Sequence, residues 1–266
     1  MEKSEFNNSL EINNEPTGDE IWDFCVRNFL YDKQRYVKEL LSLFDRIGIT
    51  KDSSIADISA GGGFPSIDLA KLGYKVDAFD GFSGDIFRIN AERELADLEC
   101  RKMLWAEIPE LIPANSYEFV FCRGNSFIFA SGGWDAKKDV DINKARNDYQ
   151  KTMHVFASII KPGGYLYIDK FKDSEEGHRE KLATIKVAGV EQDLVFSSKR
   201  SNNIRQVYMD RIIEDKIVKR ENRTTYDLSA EELISFMEVA GFDQISQLQL
   251  AEEKHFDVWL GKRNNN

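Results

Sequence analysis

The sequence predicts a doubly wound α/β sheet that carries a small inserted antiparallel sheet, and two observations lead to this prediction. From residue 53 to residue 170, short apolar strands alternate with segments of helical periodicity. Strands separated by helices pair in parallel through right-handed crossovers. From Lys186 to Tyr226, three stretches rich in β-branched and aromatic residues follow one another across short polar turns. That pattern is typical of an antiparallel meander.

The individual elements follow from local patterns. Helical spacing of apolar residues starts near Asp19, and a second helix is predicted to end at Gly48, a residue type that suits a left-handed helix stop. Strands of the main sheet are predicted at 55–58, 74–79, 101–105, 117–122 and 165–168, with helices at 64–72, 84–98 and 142–160. The meander strands are predicted at 190–196, 204–213 and 216–226. Ser229 and Glu232 form the capping box of a last helix, which ends at Gly241. Closing strands are predicted at 244–250 and 255–260.

Composition and charge exclude several classes of protein. With 46 acidic and 36 basic residues the net charge is −10, which disfavours a nucleic-acid binder. No apolar stretch approaches the roughly 20 residues that cross a bilayer. The polar N-terminal residues hold no apolar core of a signal peptide, so we expect a cytoplasmic protein with no membrane partner. The cysteines and histidines are widely spaced, which indicates reduced thiols and predicts no histidine-built metal site.

A glycine-rich loop follows the first core strand, at the place where open α/β sheets bind ligands. It spans Asp57 to Gly63 (DISAGGG), and its three glycines let a ligand approach the backbone closely. The third glycine of a dinucleotide fingerprint would fall at Ser66, and no Gly-Lys-Ser or Gly-Lys-Thr of a phosphate-binding loop follows. The loop therefore favours an uncharged or cationic ligand group over a phosphate.

An acidic residue ends the second core strand. Asp80 lies there, before Gly81 and Phe82, and a carboxylate in this place can accept hydrogen bonds from both hydroxyls of a ribose. Beyond the third strand, Leu104 and Trp105 offer an apolar slot for an adenine ring. A nucleoside cofactor that needs no phosphate contacts is S-adenosylmethionine, so these residues point to that cofactor.

The motif order resembles that of class I S-adenosylmethionine-dependent methyltransferases over most of the chain. The order along the chain is the same as in that family: the glycine loop, Asp80, the Trp105 stretch and then Pro162-Gly163-Gly164. The segment Cys122 to Phe127 (CRGNSF), Trp22 in the leading helix and the antiparallel insertion are similar to the glycine and sarcosine N-methyltransferase group. The resemblance implies a mostly parallel, seven-stranded, Rossmann-like sheet and methylation of a small-molecule amine.

The resemblance also implies the residues of the site. Cofactor contacts are expected from Trp22, Asp57, Ala60, Gly61, Gly63, Asp80, Gly81, Phe82, Leu104, Trp105 and Arg123. Asn125 is expected to act in catalysis by orienting the acceptor amine through its side-chain carbonyl, and Lys170 and Tyr226 are expected to contact the acceptor. Phe171 stands where the group carries an arginine that holds the substrate carboxylate, which disfavours glycine as the acceptor.

We expect five segments along the chain. Residues 1–18 are predicted to lack regular structure, and 19–50 to form two helices that cover the cofactor. The cofactor-binding α/β core is expected at 51–185, the antiparallel insertion over the acceptor pocket at 186–228, and the helix and strands that complete the core at 229–262.

The sequence alone leaves the identity of the methyl acceptor open. Lys170, Lys172 and Arg123 lie near the carboxyl ends of the fourth and fifth strands and predict an anionic acceptor, such as an amino-acid derivative or a nucleotide-linked sugar. An O-methyltransferase would need a base, for which His154 and His255 are the candidates. A non-catalytic protein of the same fold, an oxidoreductase and an RNA methyltransferase also stay open; the glycine pattern disfavours the oxidoreductase, and the acidic charge disfavours the RNA methyltransferase. The sequence contains no signal from which the oligomeric state could be predicted.

Overall fold

The computed structural model, which describes residues 10–12, 15–82, 84–131, 140–172 and 177–265, confirms the predicted fold class. Its strands are β1 (Leu10–Ile12), β2 (Ser54–Asp57), β3 (Lys75–Asp80), β4 (Cys100–Lys102), β5 (Tyr117–Cys122), β6 (Ile160–Phe171), β7 (Arg179–Val187), β8 (Val190–Ser201), β9 (Ile204–Ile213), β10 (Lys216–Tyr226), β11 (Phe242–Leu248) and β12 (Phe256–Arg263). Its helices are α1 (Gly18–Cys25), α2 (Lys33–Ile47), α3 (Ser66–Lys71), α4 (Gly84–Arg93), α5 (Ile108–Leu111), α6 (Ile142–Ile159) and α7 (Ala230–Val239). Short 3₁₀ helices cover Trp105–Glu107 and Ser126–Ser131, and a π-helical turn covers Val26–Leu30.

Within the described ranges, the main sheet has seven strands in the order β11-β12-β6-β5-β2-β3-β4. Strands β2 to β6 pair in parallel, whereas β12 is antiparallel to β6 and β11 is antiparallel to β12. From β2 the chain crosses first to β3 on one side and later to β5 on the other. The carboxyl end of β2 is therefore the topological switch point, where α/β sheets of this kind bind ligands.

The insertion supplies strands β7 to β10 of a second sheet, of order β1-β7-β8-β9-β10, and this sheet is larger than the sequence predicts. Strand β7 is absent from the predicted meander, and it begins before the expected domain boundary at residue 186. It joins β8 through Ala188 and Gly189, which both have a positive φ. A turn of this type favours Asn-Gly or Asp-Gly, so Ala-Gly is a weak sequence signal.

Strand β1 pairs in parallel with β7 and lies in the segment that the sequence predicts to lack regular structure. Most of the remaining residues of that segment lie outside the described ranges.

The two helix ends that the sequence predicts from local chemistry are confirmed. Gly48 ends α2 with a φ of +79°, the left-handed conformation that glycine adopts without a steric penalty. The side chain of Ser229 accepts a hydrogen bond from the backbone N–H of Glu232, and the Glu232 carboxylate accepts one from the backbone N–H of Ser229, so the capping box begins α7.

The core lies on both faces of the main sheet because successive strand residues point in opposite directions. On one face, Phe119, Phe121 and Tyr167 pack against α2. On the other face, Val120 and Ile168 pack with residues of α6 and α7. None of the described helices is long and apolar enough to span a membrane.

Candidate active site

Asp57 holds the two ends of the glycine loop together. Its carboxylate is buried and accepts a hydrogen bond from the backbone N–H of Ser59 at 3.1 Å and one from the hydroxyl of Ser66 at 2.5 Å. Burial raises the pKa of Asp57 to about 6, against the hydrogen bonds, which lower it. Asp57 therefore shapes the loop, and a direct cofactor contact from it stays a prediction.

Helix α1 lies directly against the glycine loop at Gly62. A Cβ on Gly62 would stand 1.7 Å from Oδ1 of Asp23, closer than any real Cβ contact. Asn90 on α4 donates to Asp23 at 3.0 Å and to the carbonyl of Gly62 at 2.6 Å, and Arg27 donates to the other oxygen of Asp23 at 2.7 Å. Asp23 thus joins α1, the loop and α4. The sequence contains no sign of this contact, because Asp23 and Asn90 lie 67 positions apart.

Asp80 also binds the loop, from the end of the neighbouring strand. One carboxylate oxygen accepts from the backbone N–H of Gly61 at 3.0 Å and the other from that of Phe82 at 2.7 Å. Both oxygens therefore lie at the end of β3, directly beside the glycine loop. The structure therefore brings together the loop and the carboxylate that the sequence pairs, and the proximity of adjacent strand ends is the reason.

An open apolar platform lies beside Asp80. Phe82 is 70 % exposed and Leu104 is 48 % exposed. The ring of Phe82 lies 5.8 Å from that of Phe129, a residue for which the sequence contains no functional signal. The Cδ2 atom of Leu104 is 3.0 Å from the position of a Cβ on Gly81, so a side chain there would crowd the platform. The platform can accept the flat face of an aromatic base.

Trp105 is anchored to the end of the first core strand and to α6. Its indole N–H donates to the carbonyl of Ile58 at 2.6 Å, and its ring meets Phe156 of α6 edge to face at 5.0 Å. These contacts make Trp105 a packing residue under the glycine loop, and a stacking contact with the cofactor stays a prediction.

Asn125 lies in a tight turn after β5 that Asp169 of β6 holds in place. Gly124 and Asn125 both have a positive φ, and their backbone N–H groups donate to the two oxygens of Asp169 at 2.9 and 2.6 Å. The Asn125 side-chain carbonyl accepts from the backbone N–H of Phe171 at 3.2 Å, and its expected role in orienting the acceptor amine stays a prediction. The buried Nδ2 of Asn125 has no hydrogen-bond partner among the described residues.

An unpaired buried donor costs about 1–3 kcal/mol, and this one lies on the segment after β5, at the carboxyl edge of the sheet. This buried N–H is therefore a candidate donor to a ligand, in addition to the carbonyl that the sequence predicts.

Arg123 does not offer its charge to a ligand. Its guanidinium is buried against the rings of Tyr36 at 4.7 Å and Tyr31 at 5.3 Å, donates to the carbonyl of Phe64 at 3.1 Å and forms an ion pair with Glu253 at 3.4 Å. Glu253 neutralises this charge inside the protein. The prediction of an anion-binding arginine fails at this residue, because Glu253 arrives from the loop between β11 and β12, 130 positions later.

Two buried carboxylates, those of Asp169 and Glu253, both interact with the Arg123 guanidinium. Burial and, second to it, the charge of Glu253 raise the pKa of Asp169 to about 7, against Arg123 and the backbone N–H groups of the turn, which lower it. Asp169 thus changes its charge near neutral pH while it holds the Asn125 turn.

The other predicted acceptor residues are also engaged within the fold. Lys170 is buried, and its ammonium donates to the carbonyl of Phe171 at 2.7 Å. The hydroxyl of Tyr226 is bound by Glu232 at 2.7 Å and by Arg146 at 3.1 Å, on the α6 and α7 side of the sheet. Their contacts with an acceptor stay predictions.

Trp22 lines a small apolar cavity beside the end of β6, together with Phe171, Phe196 and His255. This cavity lies at the junction of the inserted sheet with the main sheet. A contact of Trp22 with the cofactor stays a prediction.

Solved structures share this architecture. The sugar N-methyltransferase KedS8 from a Streptoalloteichus species matches with a TM-score of 0.67 and 15 % identity, over 96 % of this chain and 97 % of that one. The fold is the Rossmann-like methyltransferase fold. CalS10, an amino pentose methyltransferase from Micromonospora echinaspora solved with S-adenosylmethionine, matches with a TM-score of 0.64 and 12 % identity, over 95 % of this chain and 100 % of that one.

A third structure carries a different substrate. The Burkholderia thailandensis 1,6-didemethyltoxoflavin-N1-methyltransferase, solved with 1,6-didemethyltoxoflavin and S-adenosylhomocysteine, matches with a TM-score of 0.52 and 12 % identity, over 95 % of this chain and 93 % of that one. No protein-family model matches the chain, and no curated protein matches its sequence. Since these identities are low, the likeness establishes the fold alone.

Proposed function

We propose that the protein is an S-adenosylmethionine-dependent methyltransferase that methylates an amine of a small molecule. The observation that carries the proposal is the glycine loop at the switch point, bound to the Asp80 carboxylate through Gly61 at 3.0 Å, with an exposed apolar platform next to it. A sulfonium nucleoside needs this combination of close backbone approach, ribose acceptor and apolar wall, and it needs no phosphate contacts.

The residues present fit such a cofactor. Gly61 has a positive φ and a Cβ position with no atom nearer than 3.9 Å, so its backbone is bare beside the expected methionine end. Gly63 also has a positive φ, but its Cβ position lies 2.4 Å from Cδ1 of Ile67, so this glycine allows α3 to pack against the loop. The carboxylate of Asp80 would accept the ribose hydroxyls, and Phe82 and Leu104 would cover the adenine. When bound, the cofactor supplies an electrophilic methyl group.

The residues of this chain would then act by positioning and by excluding water. Methyl transfer is an in-line displacement, so alignment of the acceptor is the main requirement. A neutral amine needs no covalent nucleophile. The buried Nδ2 of Asn125 would donate to a polar group of the acceptor, and the Asp169 carboxylate would keep Asn125 in its turn.

An amino sugar is the acceptor class that we favour. Two of the similar structures are described as acting on sugar or amino pentose substrates, and a sugar hydroxyl next to the amine would accept the Asn125 N–H. An anionic acceptor is not favoured, because Arg123 is neutralised by Glu253 and Lys170 is buried. The narrower resemblance to the glycine and sarcosine group stays a prediction.

Replacing Asn125 by glycine tests this assignment. Glycine keeps the left-handed backbone, for which φ is +58°, and removes the side-chain amide: the Nδ2 donor and the carbonyl that accepts from the backbone N–H of Phe171. We expect kcat/KM for an amino-sugar acceptor to fall by about tenfold or more, the value of one lost hydrogen bond in the transition state. Formation of S-adenosylhomocysteine from a panel of amino sugars measures it.

Asn115 provides the matched control. It has the same φ of +58°, is exposed and lies before β5 at the opposite edge of the sheet. Asn115→Gly should leave both turnover and cofactor affinity unchanged. The role of Asn125 is contradicted if Asn125→Gly lowers cofactor affinity and turnover equally, and the proposed reaction is contradicted if a cofactor-bound protein methylates no amine of the panel.

A further inference from the structure

The three histidines are widely spaced in the sequence, but the fold brings two of them to one carboxylate. Nε2 of His178 lies 3.1 Å from Oε2 of Glu180, and Nε2 of His255 lies 3.8 Å from the same oxygen. One ligand-type atom from each of the three residues lies within 4.8 Å of the other two. The rings of the two histidines are 5.8 Å apart.

We propose that His178, Glu180 and His255 form a binding site for a divalent transition-metal ion of the Zn²⁺ class. Two imidazoles and a carboxylate are a donor set that zinc uses, with bonds of about 2.0–2.1 Å. Ligand atoms around a tetrahedral zinc ion at that bond length stand about 3.3 Å apart. The two histidine–carboxylate distances of 3.1 and 3.8 Å bracket that value, and the ligand atoms of the two histidines lie within 4.8 Å of each other, so side-chain rotations that bring the imidazoles together would complete the site.

The backbone places these ligands in advance. His178 directly precedes β7 and Glu180 is the second residue of that strand, so the two side chains, two positions apart along an extended segment, share a face. The carbonyl of His178 accepts from the backbone N–H of Ser198 at 2.9 Å, and the carbonyl of His255 accepts from that of Lys172 at 3.2 Å. Both histidines are therefore fixed to paired strands, which limits the entropy lost when an ion binds.

The site joins two parts of the fold. His178 and Glu180 belong to the inserted sheet, whereas His255 directly precedes β12 of the main sheet. The side chain of His178 is 30 % exposed, that of Glu180 44 % and that of His255 17 %, so water can supply the remaining ligands of the ion from the solvent side. On the other side lie the rings of Phe196 and Phe256. A bound ion would cross-link the inserted sheet to the main sheet. The inference of a metal site does not depend on the methyltransferase proposal.

Titration of the chelator-treated full chain with ZnCl₂ in a calorimeter tests the site. We expect one ion per chain and a higher unfolding temperature with zinc. The single variants His178→Gln, His255→Gln and Glu180→Gln should each weaken binding by about tenfold or more. With Co²⁺ as the probe, the visible spectrum of a tetrahedral ion should appear in the wild type and be lost in the double variant His178→Gln/His255→Gln.

His154→Gln is the matched control, because His154 is exposed on α6, outside this cluster. It should bind zinc like the wild type. Unfolding temperatures without metal test whether the variants fold, and Glu180→Gln changes a side chain that is 44 % exposed, so we expect it to leave the fold intact. The proposal is overturned by the absence of saturable zinc binding, or by wild-type affinity in the double variant; either result means that the three residues only hydrogen-bond to one another.

Discussion

Arg123→Met is expected to destabilise the protein by about 3–5 kcal/mol at pH 8, the cost of breaking a buried ion pair by removing one partner. The substitution leaves Glu253 and Asp169 buried without a cation and removes the contacts of the guanidinium with Tyr31 and Tyr36. Urea unfolding gives the free energy of unfolding, and methionine keeps most of the side-chain volume.

The loss should depend on pH in a defined direction. The pKa of Asp169 is raised from 3.8 to about 7 in the folded protein, so its carboxyl contributes stability below the unfolded pKa and loses it as pH rises through about 7. Without Arg123, which lowers this pKa, the carboxyl should charge at a still higher pH. We therefore expect a smaller difference between variant and wild type at pH 5, where Asp169 is protonated in both, than at pH 8.

Arg101→Met is the matched control for this prediction. Arg101 also forms an ion pair, with Asp77 at 3.1 Å, and also lies over a ring, that of Phe79 at 4.5 Å, but it is 59 % exposed. Its replacement should cost less than about 1 kcal/mol at either pH. Equal losses for the two variants, or a loss for Arg123→Met that does not change with pH, would refute the description of the buried cluster.

Gly62→Ala is expected to separate α1 from the glycine loop. The added Cβ would meet Oδ1 of Asp23 at 1.7 Å and Nδ2 of Asn90 at 3.1 Å. Asp23 cannot easily move aside, since it is buried and is held by Arg27 and Asn90. Overpacking of this kind costs about 1–3 kcal/mol, and we expect cofactor affinity to fall by about tenfold or more, where tenfold corresponds to about 1.4 kcal/mol.

A double-mutant cycle identifies the cause. In an Asp23→Ala background the obstructing carboxylate is absent and only Nδ2 of Asn90, at 3.1 Å, stays close, so Gly62→Ala should then cost clearly less stability and cofactor affinity than it does in the wild type. Gly84→Ala serves as the neutral control, because a Cβ on Gly84 meets nothing within 4 Å. An equal cost of Gly62→Ala with and without Asp23 would show that the clash with α1 is not the reason for the loss.

Much of the fold could be predicted because its signals are local. Alternating strand and helix patterns are enough to give a parallel sheet, and the cap of α7 requires only Ser229 and Glu232. The meeting of Gly61 with Asp80 also follows from local patterns, because neighbouring parallel strands end at the same edge.

The features that could not be predicted depend on contacts distant in sequence. The burial of Arg123 requires Glu253, and the position of α1 requires a hydrogen bond from Asn90 to Asp23. A basic residue at a strand end has the same local signal whether its partner is a ligand or an internal carboxylate. For the same reason, the meeting of His178 with His255 could not be found from their spacing.

Calorimetric titration of S-adenosylmethionine into the wild type and Asp80→Ala tests the central proposal most directly. We predict one cofactor per wild-type chain and an affinity roughly a hundredfold lower in Asp80→Ala, because charge-assisted hydrogen bonds contribute about 1.5–3 kcal/mol each. Asp77→Ala, three positions earlier on β3 and half exposed, should bind like the wild type. If the wild type shows no saturable binding of S-adenosylmethionine or S-adenosylhomocysteine, or if Asp80→Ala binds equally well, the proposed cofactor site is wrong.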